Sequence, residues 1–479
     1  MRVLRRVLVA NRGEIAVRIL RTCRSLGIET VLAVSDADAG ALPARLADSV
    51  IRIGPAAPAA SYLDVAAVVG AAQAAGADAV HPGYGFLSEN PRLARACAAA
   101  GLVFIGPPAG QLEAVGDKLA ARGRAAAAGL PVVPGGAVGS AAEAAALAAR
   151  IGWPVLVKAV GGGGGRGLRS VHRPADLGAA VERAIAEAGA AFGDPRVYLE
   201  RYVQPGRHVE VQLLGDGERV IHLGDRDCSL QRRYQKLVEE APAPRLGDDL
   251  RAEIRHGAVA FGQHLGYRGL GTVEFLADTE RGRCYFLEMN ARIQVEHPVT
   301  EAISGLDLVA EQIAVAEGRP LRLDQEDVRL EGHAIECRIN AEDPADGFRP
   351  SPGTVTRAVF PAGPGIRVDT HLQAGSAVPA GYDSLLAKVI ASGRDRAEAL
   401  ARLRAALGRC EIAGVATTIP MHAALTAQDE FARGGVDTGY LARFLRRAGE
   451  DHRVDTGEQR WSAGTTPPNP PAPCGRSGG

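Results

Sequence analysis

Residues 6–35, RVLVANRGEIAVRILRTCRSLGIETVLAVS, indicate how the chain begins to fold. The apolar run RVLVA predicts a strand, EIAVRILRTCRSLG has the apolar spacing of a helix that ends at Gly27, and TVLAVS predicts a second strand. Helical and strand patterns keep alternating over residues 65–107, which predicts a parallel, doubly wound domain ending near residue 115. The turn at residues 11–14, Asn-Arg-Gly-Glu, lacks the Gly-x-Gly-x-x-Gly spacing of dinucleotide sites, which argues against NAD.

The composition excludes several classes of function. The chain has 479 residues, enough for about three domains, and its 55 basic and 55 acidic residues give a formal charge of zero. Bulk attraction to nucleic acid or to a membrane surface is therefore not expected. No apolar stretch is long enough to span a bilayer. Seven scattered cysteines without a Cys-x-x-Cys pair indicate a reduced, cytoplasmic protein.

The rest of the chain predicts a different architecture. The strand WPVLVKAV, a glycine loop, a helix over residues 176–190 and the strand VYLERYV predict a small α+β lid over about residues 130–203. Further strands up to about residue 446 predict an antiparallel sheet with flanking helices. Beyond residue 455 the chain is rich in Pro and Gly, which predicts a disordered tail. The whole is predicted to combine α/β and α+β folds.

Lysine is rare in this chain and falls in motifs suited to anions. Only four of the 55 basic residues are lysine, namely Lys118, Lys158, Lys236 and Lys388. A compact ammonium acts as a point charge on a phosphate oxygen, whereas arginine is a broad planar fork. The glycines at 161–165 follow Lys158 between two predicted strands, so we expect a hairpin loop whose backbone N–H groups cover nucleotide phosphates. It is not a Walker loop, because it leads into a strand and no lysine follows the glycines.

The stretch from Glu274 to Glu296 contains the densest set of polar groups. If the strand CYFLEMN continues through ARIQVEH, alternation places five polar side chains on one face. These are Glu288, Asn290, Arg292, Gln294 and Glu296. Glu274 lies in the preceding strand and can approach Glu288 across a hairpin. Two carboxylates and an amide oxygen suit Mg²⁺ bound to nucleotide phosphates.

Two further polar segments carry weaker signals. Residues 225–236, DRDCSLQRRYQK, have no clean periodicity and are predicted to form a loop. Arg338, in ECRINAED, is one of several polar residues on a predicted strand.

Taken together, these segments resemble the biotin carboxylase family of ATP-grasp enzymes over about residues 3–446. The motifs that carry the resemblance are VANRGEIAVRIL, HPGYGFLSEN, GGGGGRG, RDCSLQRR, EEAPAP, EMNARIQVEHPVTE, GHAIECRINAEDP and SPGTVTR. The resemblance implies a Rossmann-like N-terminal domain, an ATP-grasp lid, and a C-terminal antiparallel sheet domain with flanking helices. The implied divisions are residues 1–115 (N-terminal domain), 116–203 (linker and lid), 204–330 (ATP-grasp catalytic domain), 331–446 (C-terminal domain) and 447–479 (tail).

The resemblance also implies roles for individual residues. Implied nucleotide contacts are Lys118, Lys158, Gly164, Gly165, Glu200, Arg201, Tyr202, Val203, His208, Gln231 and Tyr234. Implied ligands of Mg²⁺ or Mn²⁺ are Glu274, Glu288 and Asn290, and the implied bicarbonate pocket is formed by Lys236, Arg292, Gln294 and Val295. Glu296 is expected to act as the general base, and Arg338 to face the ureido group of biotin. The implied reaction phosphorylates bicarbonate with ATP and transfers the carboxyl group to biotin.

The chain departs from the family pattern at three positions near the nucleotide. Tyr234 stands where the family commonly has histidine, Val160 where it has serine, and Arg201 where it often has lysine. A tyrosine hydroxyl can still donate and accept hydrogen bonds. These departures bear on nucleotide affinity more than on the reaction.

Two alternative functions stay open at this stage. Another ATP-grasp ligase, such as half of a carbamoyl-phosphate synthetase or a purine-pathway carboxylase, would use the same metals with a different acceptor. The run Arg-Ile-Gln-Val-Glu-His at residues 292–297 argues against it. A non-enzymatic scaffold would be expected to have lost a metal ligand or the base, yet all of those residue types are present.

The resemblance and the lysines together predict separate partners. Biotin is normally attached to a lysine flanked by methionine, and none of the four lysines has a methionine neighbour. We therefore expect biotin on a separate carrier protein, a separate carboxyltransferase subunit, and a homodimer. The expected holoenzyme is an acyl-CoA carboxylase, with acetyl-CoA and fatty acid biosynthesis as its first candidates.

Overall fold

The computed structural model describes residues 2–161 and 168–454. The predicted phosphate-covering residues Gly164 and Gly165 lie outside the described residues, as does the tail from residue 455 onward.

The N-terminal region is the predicted parallel sheet with helices around it. Its strands are β1 (Arg6–Val9), β2 (Glu29–Ser35), β3 (Ser49–Gly54), β4 (Ala79–His81) and β5 (Val103–Phe104), in the order β3-β2-β1-β4-β5. The described pairings between these strands are all parallel. The helices are α1 (Gly13–Ser25), α2 (Leu42–Leu46), α3 (Val65–Ala74), α4 (Pro91–Ala99) and α5 (Ala109–Gly116). Asp64 caps α3 by accepting hydrogen bonds from two backbone N–H groups of its first turn.

The predicted lid is a four-stranded antiparallel sheet with two helices packed on it. The helix α6 (Lys118–Ala127) precedes this sheet, whose elements are β6 (Gly135–Val138), α7 (Ala141–Ile151), β7 (Val155–Ala159), β8 (Leu168–Val171), α8 (Leu177–Phe192) and β9 (Val197–Arg201). The strand order is β6-β9-β7-β8. The consecutive strands β7 and β8 pair antiparallel and so form the hairpin that the sequence predicts.

An eight-stranded antiparallel sheet forms the centre of the molecule. Its strands are β10 (Arg207–Asp216), β11 (Val220–Arg232), β12 (Gln235–Ala241), β13 (Arg268–Asp278), β14 (Arg283–Asn290), β15 (His333–Asn340), β20 (Ile366–Thr370) and β22 (Leu385–Gly393). The order is β14-β13-β10-β11-β12-β15-β22-β20. Since β12 pairs with β15, one sheet continues across the implied division near residue 330.

Helices and short strands complete this region. The helices are α9 (Asp248–His264), α10 (His297–Ser304), α11 (Leu308–Ala316), α12 (Arg396–Leu407), α13 (Ile419–Thr426), α14 (Asp429–Arg433) and α15 (Tyr440–Val454). The short strands are β16 (Glu342–Asp343), β17 (Arg349–Pro350), β18 (Gly353–Thr354), β19 (Arg357–Val359), β21 (Ala377–Val378) and β23 (Glu411–Ala413). The α/β and α+β fold class predicted from sequence is confirmed by this combination of a parallel and an antiparallel sheet. Among the helices within the two described ranges, none is both long and apolar enough to cross a membrane.

Two local predictions are wrong. The polar run at 225–236 is not a loop, because β11 extends to Arg232 and β12 begins at Gln235. The charged side chains of Asp225, Arg226 and Asp227 are buried and paired inside the protein, and Arg226 alone contacts four polar side chains. The strand β14 does not continue to Glu296 but ends at Asn290, and an irregular segment leads from there to α10.

One apolar core joins the N-terminal region to the central sheet. Val7 and Ile15 from the parallel sheet and α1 belong to the same buried cluster as Leu214 of β10, Leu223 of β11 and Ile313 of α11. Burial of this cluster holds the loops that follow the parallel strands against the edge of the central sheet.

We expect Phe261→Ala to lower the free energy of unfolding by about 3–5 kcal/mol, because truncating a buried aromatic ring leaves a cavity. Phe261 of α9 is fully buried and packs edge-on against Phe286 of β14, with ring centroids 5.1 Å apart. Urea denaturation measures the loss, and Gln263→Ala on the exposed side of α9 is the matched control. Equal stability of the two variants would contradict this account of the core.

Candidate active site

A cleft of about 1300 Å³ lies between the lid, the central sheet and the N-terminal loops. All the sequence-predicted site residues within the described ranges line it, except Glu296. These are Lys118, Lys158, Glu200, Arg201, Tyr202, Val203, His208, Gln231, Tyr234, Lys236, Glu274, Glu288, Asn290, Arg292, Gln294, Val295 and Arg338. Glu296 is fully buried directly beneath the cleft and bonds to two residues that line it.

A row of carboxylates crosses the floor of the cleft. Glu288 of β14 is the register partner of Glu274 of β13, which is in turn the partner of Glu210 on β10. The predicted approach of Glu274 and Glu288 across a hairpin is confirmed. Like charges directly opposite on neighbouring strands repel, so this row requires cations close by.

The ammonium of Lys236 is the principal counterion of the row. Its Nζ lies 2.5 Å from Glu210 Oε2, 2.9 Å from Glu274 Oε1 and 2.7 Å from Glu296 Oε1. Burial alone would lower the pKa of Lys236, but these carboxylates raise it well above its ordinary value. Lys236 is therefore a permanent cation at the base of the cleft.

Glu296 is held as a carboxylate by the cations around it. Burial would raise its pKa, but Lys236, Arg338 and Arg226 hold the pKa well below its ordinary range. Arg338 Nη2 donates to Glu296 Oε2 at 2.9 Å, on the side away from Lys236. Both oxygens of Glu296 thus face cations at the edge of the cleft.

The other end of the row is paired with histidine and lysine. His208 Nε2 lies 3.0 Å from Glu274 Oε2, and Lys118 Nζ lies 3.0 Å from Glu288 Oε2. Burial would lower the pKa of His208, but Glu274 raises it above its ordinary value. Asn290 completes this group, since its Nδ2 donates to Glu274 Oε1 at 2.8 Å.

The segment after β14 orients a guanidinium toward the same centre. Arg292 donates to Asn290 Oδ1, Gln294 Oε1 and Glu89 Oε2, each at 2.8 Å. The strand ends at Asn290, so strand alternation does not bring the polar side chains of this segment together. They meet because Arg292 bonds to Asn290, Gln294 and Glu89.

The lid provides a second cationic end of the cleft. Lys158 of β7 lies 2.5 Å from Glu200 of β9, which also accepts a bond from Arg122 at 2.6 Å. The backbone N–H groups of Arg201 and Tyr202 donate to carbonyls within the lid. These two residues can therefore contact a ligand only through their carbonyls or side chains.

Tyr234, one of the three departures from the family pattern, lies in a tight turn. Arg233 and Tyr234 connect β11 to β12 with φ values of 48° and 67°, the left-handed geometry of a two-residue hairpin turn. Tyr234 is 48% exposed at the mouth of the cleft. Its side chain is free to contact a ligand that enters between the lid and the sheet.

Sequence reasoning missed several residues of the site. Glu210 bonds to both Lys236 and Arg226, and Glu89 anchors Arg292 from the N-terminal region. A signal for Glu210 existed, since His208, Glu210 and Gln212 alternate along one face of a predicted strand. No local pattern marks Glu89, because it meets Arg292 only in the folded chain.

Comparison with known proteins assigns the family. The chain matches the family profile "Biotin carboxylase, N-terminal domain" at residues 3–112, "Carbamoyl-phosphate synthase L chain, ATP binding domain" at 117–324 and "Biotin carboxylase C-terminal domain" at 336–443. It is 50% identical over 446 residues to the biotin carboxylase of Pseudomonas aeruginosa, a match that covers 92% of this chain and 99% of that protein. The chain belongs to the biotin carboxylase family. It is thus an ATP-dependent ligase, and the reaction of the family is the carboxylation of biotin.

Two further relatives show how widely this biotin carboxylase scaffold is used. A pyruvate carboxylase subunit of Methanothermobacter thermautotrophicus is 48% identical over 92% of this chain and 90% of its own length. The biotin carboxylase domain dimer of the Hydrogenobacter thermophilus 2-oxoglutarate carboxylase was solved with MgADP, ADP and bicarbonate. It superposes with a TM-score of 0.90 at 45% identity and covers 96% of this chain and 100% of that chain.

We expect Lys236→Met to lower the free energy of unfolding by about 3–5 kcal/mol at pH 8, because the variant removes the ammonium that three buried carboxylates share. The loss should be smaller at pH 5. In the parent, the depressed pKa values of Glu274 and Glu296 keep their stabilising contribution present at pH 5, since it is lost only as pH falls through the folded pKa. In the variant, burial without Lys236 raises the pKa of these carboxyl groups, so their protonation at pH 5 relieves the uncompensated charge.

Urea denaturation at both pH values tests this expectation. Lys118→Met is the matched control, because its partner Glu288 is partly exposed and can be solvated by water. A loss of stability that is the same at pH 5 and pH 8 would contradict the role of Lys236 as the counterion of the row.

Proposed function

We propose that this chain uses ATP to phosphorylate bicarbonate and then carboxylates biotin carried on a separate protein, the first half-reaction of an acyl-CoA carboxylase. The observation that carries the proposal is the cluster of Lys236, Glu296, Arg292 and Arg338 at one end of a cleft, with Lys118 and Lys158 at the other. One end suits a small anion beside a carboxylate base, and the other suits a nucleotide triphosphate.

The bicarbonate end supplies the base and the binding cations. Glu296, ionised and bonded to Lys236 at 2.7 Å, accepts the proton of bicarbonate. The cations Lys236 and Arg292 and the groups of Gln294 and Val295 would hold the anion beside the base. The resulting carbonate oxygen attacks the γ-phosphate of ATP, so that ADP leaves and carboxyphosphate forms.

The biotin half follows in the same cleft. Carboxyphosphate separates into CO₂ and phosphate, phosphate takes the proton from biotin N1′, and the biotin nitrogen attacks CO₂. The guanidinium of Arg338 donates a hydrogen bond to Glu296 in this structure. In the reaction it stabilises the negative charge that forms on the ureido oxygen. Carboxybiotin is the product.

The nucleotide end is assigned to residues of the lid and the sheet. The proposed nucleotide contacts within the described residues are Lys118, Lys158, Glu200, Arg201, Tyr202, Val203, His208, Gln231 and Tyr234. The ammonium groups of Lys118 and Lys158 would face phosphate oxygens once their bonds to Glu288 and Glu200 open. Two unit charges 4 Å apart gain about 1 kcal/mol in water but about 4 kcal/mol at an effective dielectric of 20. Closure of the lid would exclude water and lower the effective dielectric around the phosphates, so we propose that closure is part of catalysis.

The donor set at Glu274, Glu288 and Asn290 fits Mg²⁺ or Mn²⁺. Two carboxylates on adjacent strands and an amide next to them are hard oxygen ligands that face the cleft. Asn290 directs its amide nitrogen to Glu274, so metal binding would turn that amide to present its oxygen. Bound divalent cations would neutralise the charge of the nucleotide phosphates.

The partners are proposed from the family and the relatives. A biotin carrier protein, a second copy of this chain and a carboxyltransferase subunit would complete the enzyme. Acetyl-CoA is the first candidate acceptor, which would place the enzyme in fatty acid biosynthesis. The pyruvate and 2-oxoglutarate carboxylase relatives favour a 2-oxo acid as the second candidate. A cytoplasmic location stays a prediction from the sequence.

We expect Glu296→Gln to lower biotin-dependent ADP release about 10²–10⁴-fold, because an amide cannot accept the bicarbonate proton. The assay contains ATP, Mg²⁺, bicarbonate and free biotin, and compares ADP release with and without biotin. Glu317→Gln, at a buried glutamate that ends α11, accepts from the Leu4 backbone N–H and does not line the cleft, is the control and should retain activity. If Glu296→Gln has the activity of the parent, the assignment of Glu296 as the base is wrong. If the ADP release of the parent does not depend on biotin, the result favours another ATP-grasp ligase.

The acceptor is tested by capture and reconstitution. The chain, purified from its own cell extract, is expected to bring down a biotinylated protein and a carboxyltransferase. Labelled bicarbonate should then enter an acid-stable product with acetyl-CoA and not with pyruvate or 2-oxoglutarate. Labelling only with a 2-oxo acid would replace the proposed acceptor by the second candidate.

A further inference from the structure

Two buried glutamates face each other behind Arg338, outside the residues that line the cleft. Glu239 on β12 and Glu336 on β15 are register partners, and both are fully buried. Side chains directly opposite on antiparallel strands share one face, with Cβ atoms about 4.5–5.5 Å apart. Two carboxyl groups therefore occupy one dry site beside the active centre.

These carboxyl groups lack the donors that buried carboxylates require. Among the described residues, none donates a hydrogen bond to any of the four oxygens. Arg338 Nε lies 2.6 Å from Glu239 Oε1, but its N–H does not point at that oxygen. A buried carboxylate without donors is costly, whereas a protonated carboxyl can itself donate to a neighbouring carboxylate.

The nearby cations are largely committed to other carboxylates. Lys236 contacts three other glutamates, and Lys388 donates to the Val295 carbonyl at 2.8 Å and lies 3.1 Å from Glu14. Arg338 contacts both Glu239 and Glu296. The titratable groups that face the pair are Glu210 on β10, Cys228 on β11, Lys236 on β12, Glu296 ahead of α10, Cys337 and Arg338 on β15, and Lys388 on β22.

The pKa shifts of both carboxyl groups agree with this geometry. Burial and nearby carboxylates raise the pKa of Glu239 to about 7, although Arg338 acts to lower it. Burial raises the pKa of Glu336 well above its ordinary value, with Glu239 adding to the effect and Lys388 opposing it. Two adjacent carboxyl groups titrate as a pair, so the second ionisation is the harder one.

We propose that Glu239 and Glu336 share one proton near neutral pH, and that this pair acts as a positioning unit that presents a single negative charge to Arg338. The proton sharing stands by itself, whereas the consequence for catalysis rests on the proposed function of Arg338. Two full charges would draw the guanidinium away from Glu296 and the cleft. If both carboxyl groups were protonated, the guanidinium would be bound to Glu296 alone.

Infrared difference spectroscopy tests the shared proton without any assay of activity. The full chain at pH 7 should show the carbonyl band of a buried protonated carboxyl group, and this band should be absent from Glu336→Gln. Glu240→Gln is the matched control, since Glu240 is buried on the same strand but bonds to His333 and Arg396. Identical carboxyl bands in the parent and Glu336→Gln would overturn the proposal.

Kinetics test the positioning role. Glu336→Gln keeps one negative charge, so kcat and KM for biotin should stay within about twofold at pH 7 while the pH profile loses one ionisation. Glu239→Gln leaves the remaining charge on Glu336, away from the guanidinium that lies 2.6 Å from Glu239, and should raise KM for biotin about tenfold, with a smaller change in KM for ATP. Equal KM values for biotin in Glu239→Gln and Glu240→Gln would refute this role.

The two proposals fail in distinguishable ways. If the parent chain itself shows no biotin-dependent turnover, the proposed function fails and the infrared comparison still decides the shared proton. If a glutamine variant does not fold, Glu336→Asp and a pH titration of the parent replace it. A parent spectrum without a protonated carboxyl at pH 7 would then reject the pair.

Discussion

Three carboxylates that stand side by side on neighbouring strands are the constraint on which the rest of this structure depends. Glu288, Glu274 and Glu210 are successive register partners, and their mutual repulsion must be compensated within the protein. Lys236 supplies most of that compensation, and its ammonium also touches Glu296. The arrangement is costly for folding, yet it preorganises charge where a phosphorylated anion would form.

The surrounding fold keeps this charged floor in register. Arg226 is fully buried and bonds to Glu210, Gln212, Thr272 and Thr300. A shift of β10, β11 or β13 by one residue would therefore leave buried polar groups unpaired. The apolar cluster shared by the parallel sheet and β10, β11 and α11 brings the N-terminal loops to the same edge. Polar and apolar packing therefore specify one alignment together.

The same central sheet links the end of the cleft at Lys236, where we propose that bicarbonate binds, to a second set of buried charges. Because β12 pairs with β15, Lys236 and Glu239 on one strand come next to Glu336 and Arg338 on the other. Glu296, which both Lys236 and Arg338 contact, thus connects the carboxylate row to Arg338. A protonation change in the proposed pair would reach the cleft through a single guanidinium, without movement of the backbone.

The sequence by itself determined the family, the parallel and antiparallel fold classes, the lid hairpin and 17 of the residues that line the cleft, because these follow from local periodicity and from motifs such as EMNARIQVEH. It predicted a loop at 225–236 where two strands lie, since charged residues buried in pairs look like exposed ones in a linear pattern. Only the tertiary structure decided that Glu210 and Glu89 belong to the site and that Glu239 faces Glu336. Strand register joins residues far apart in the chain, and no local spacing encodes which carboxylate meets which cation.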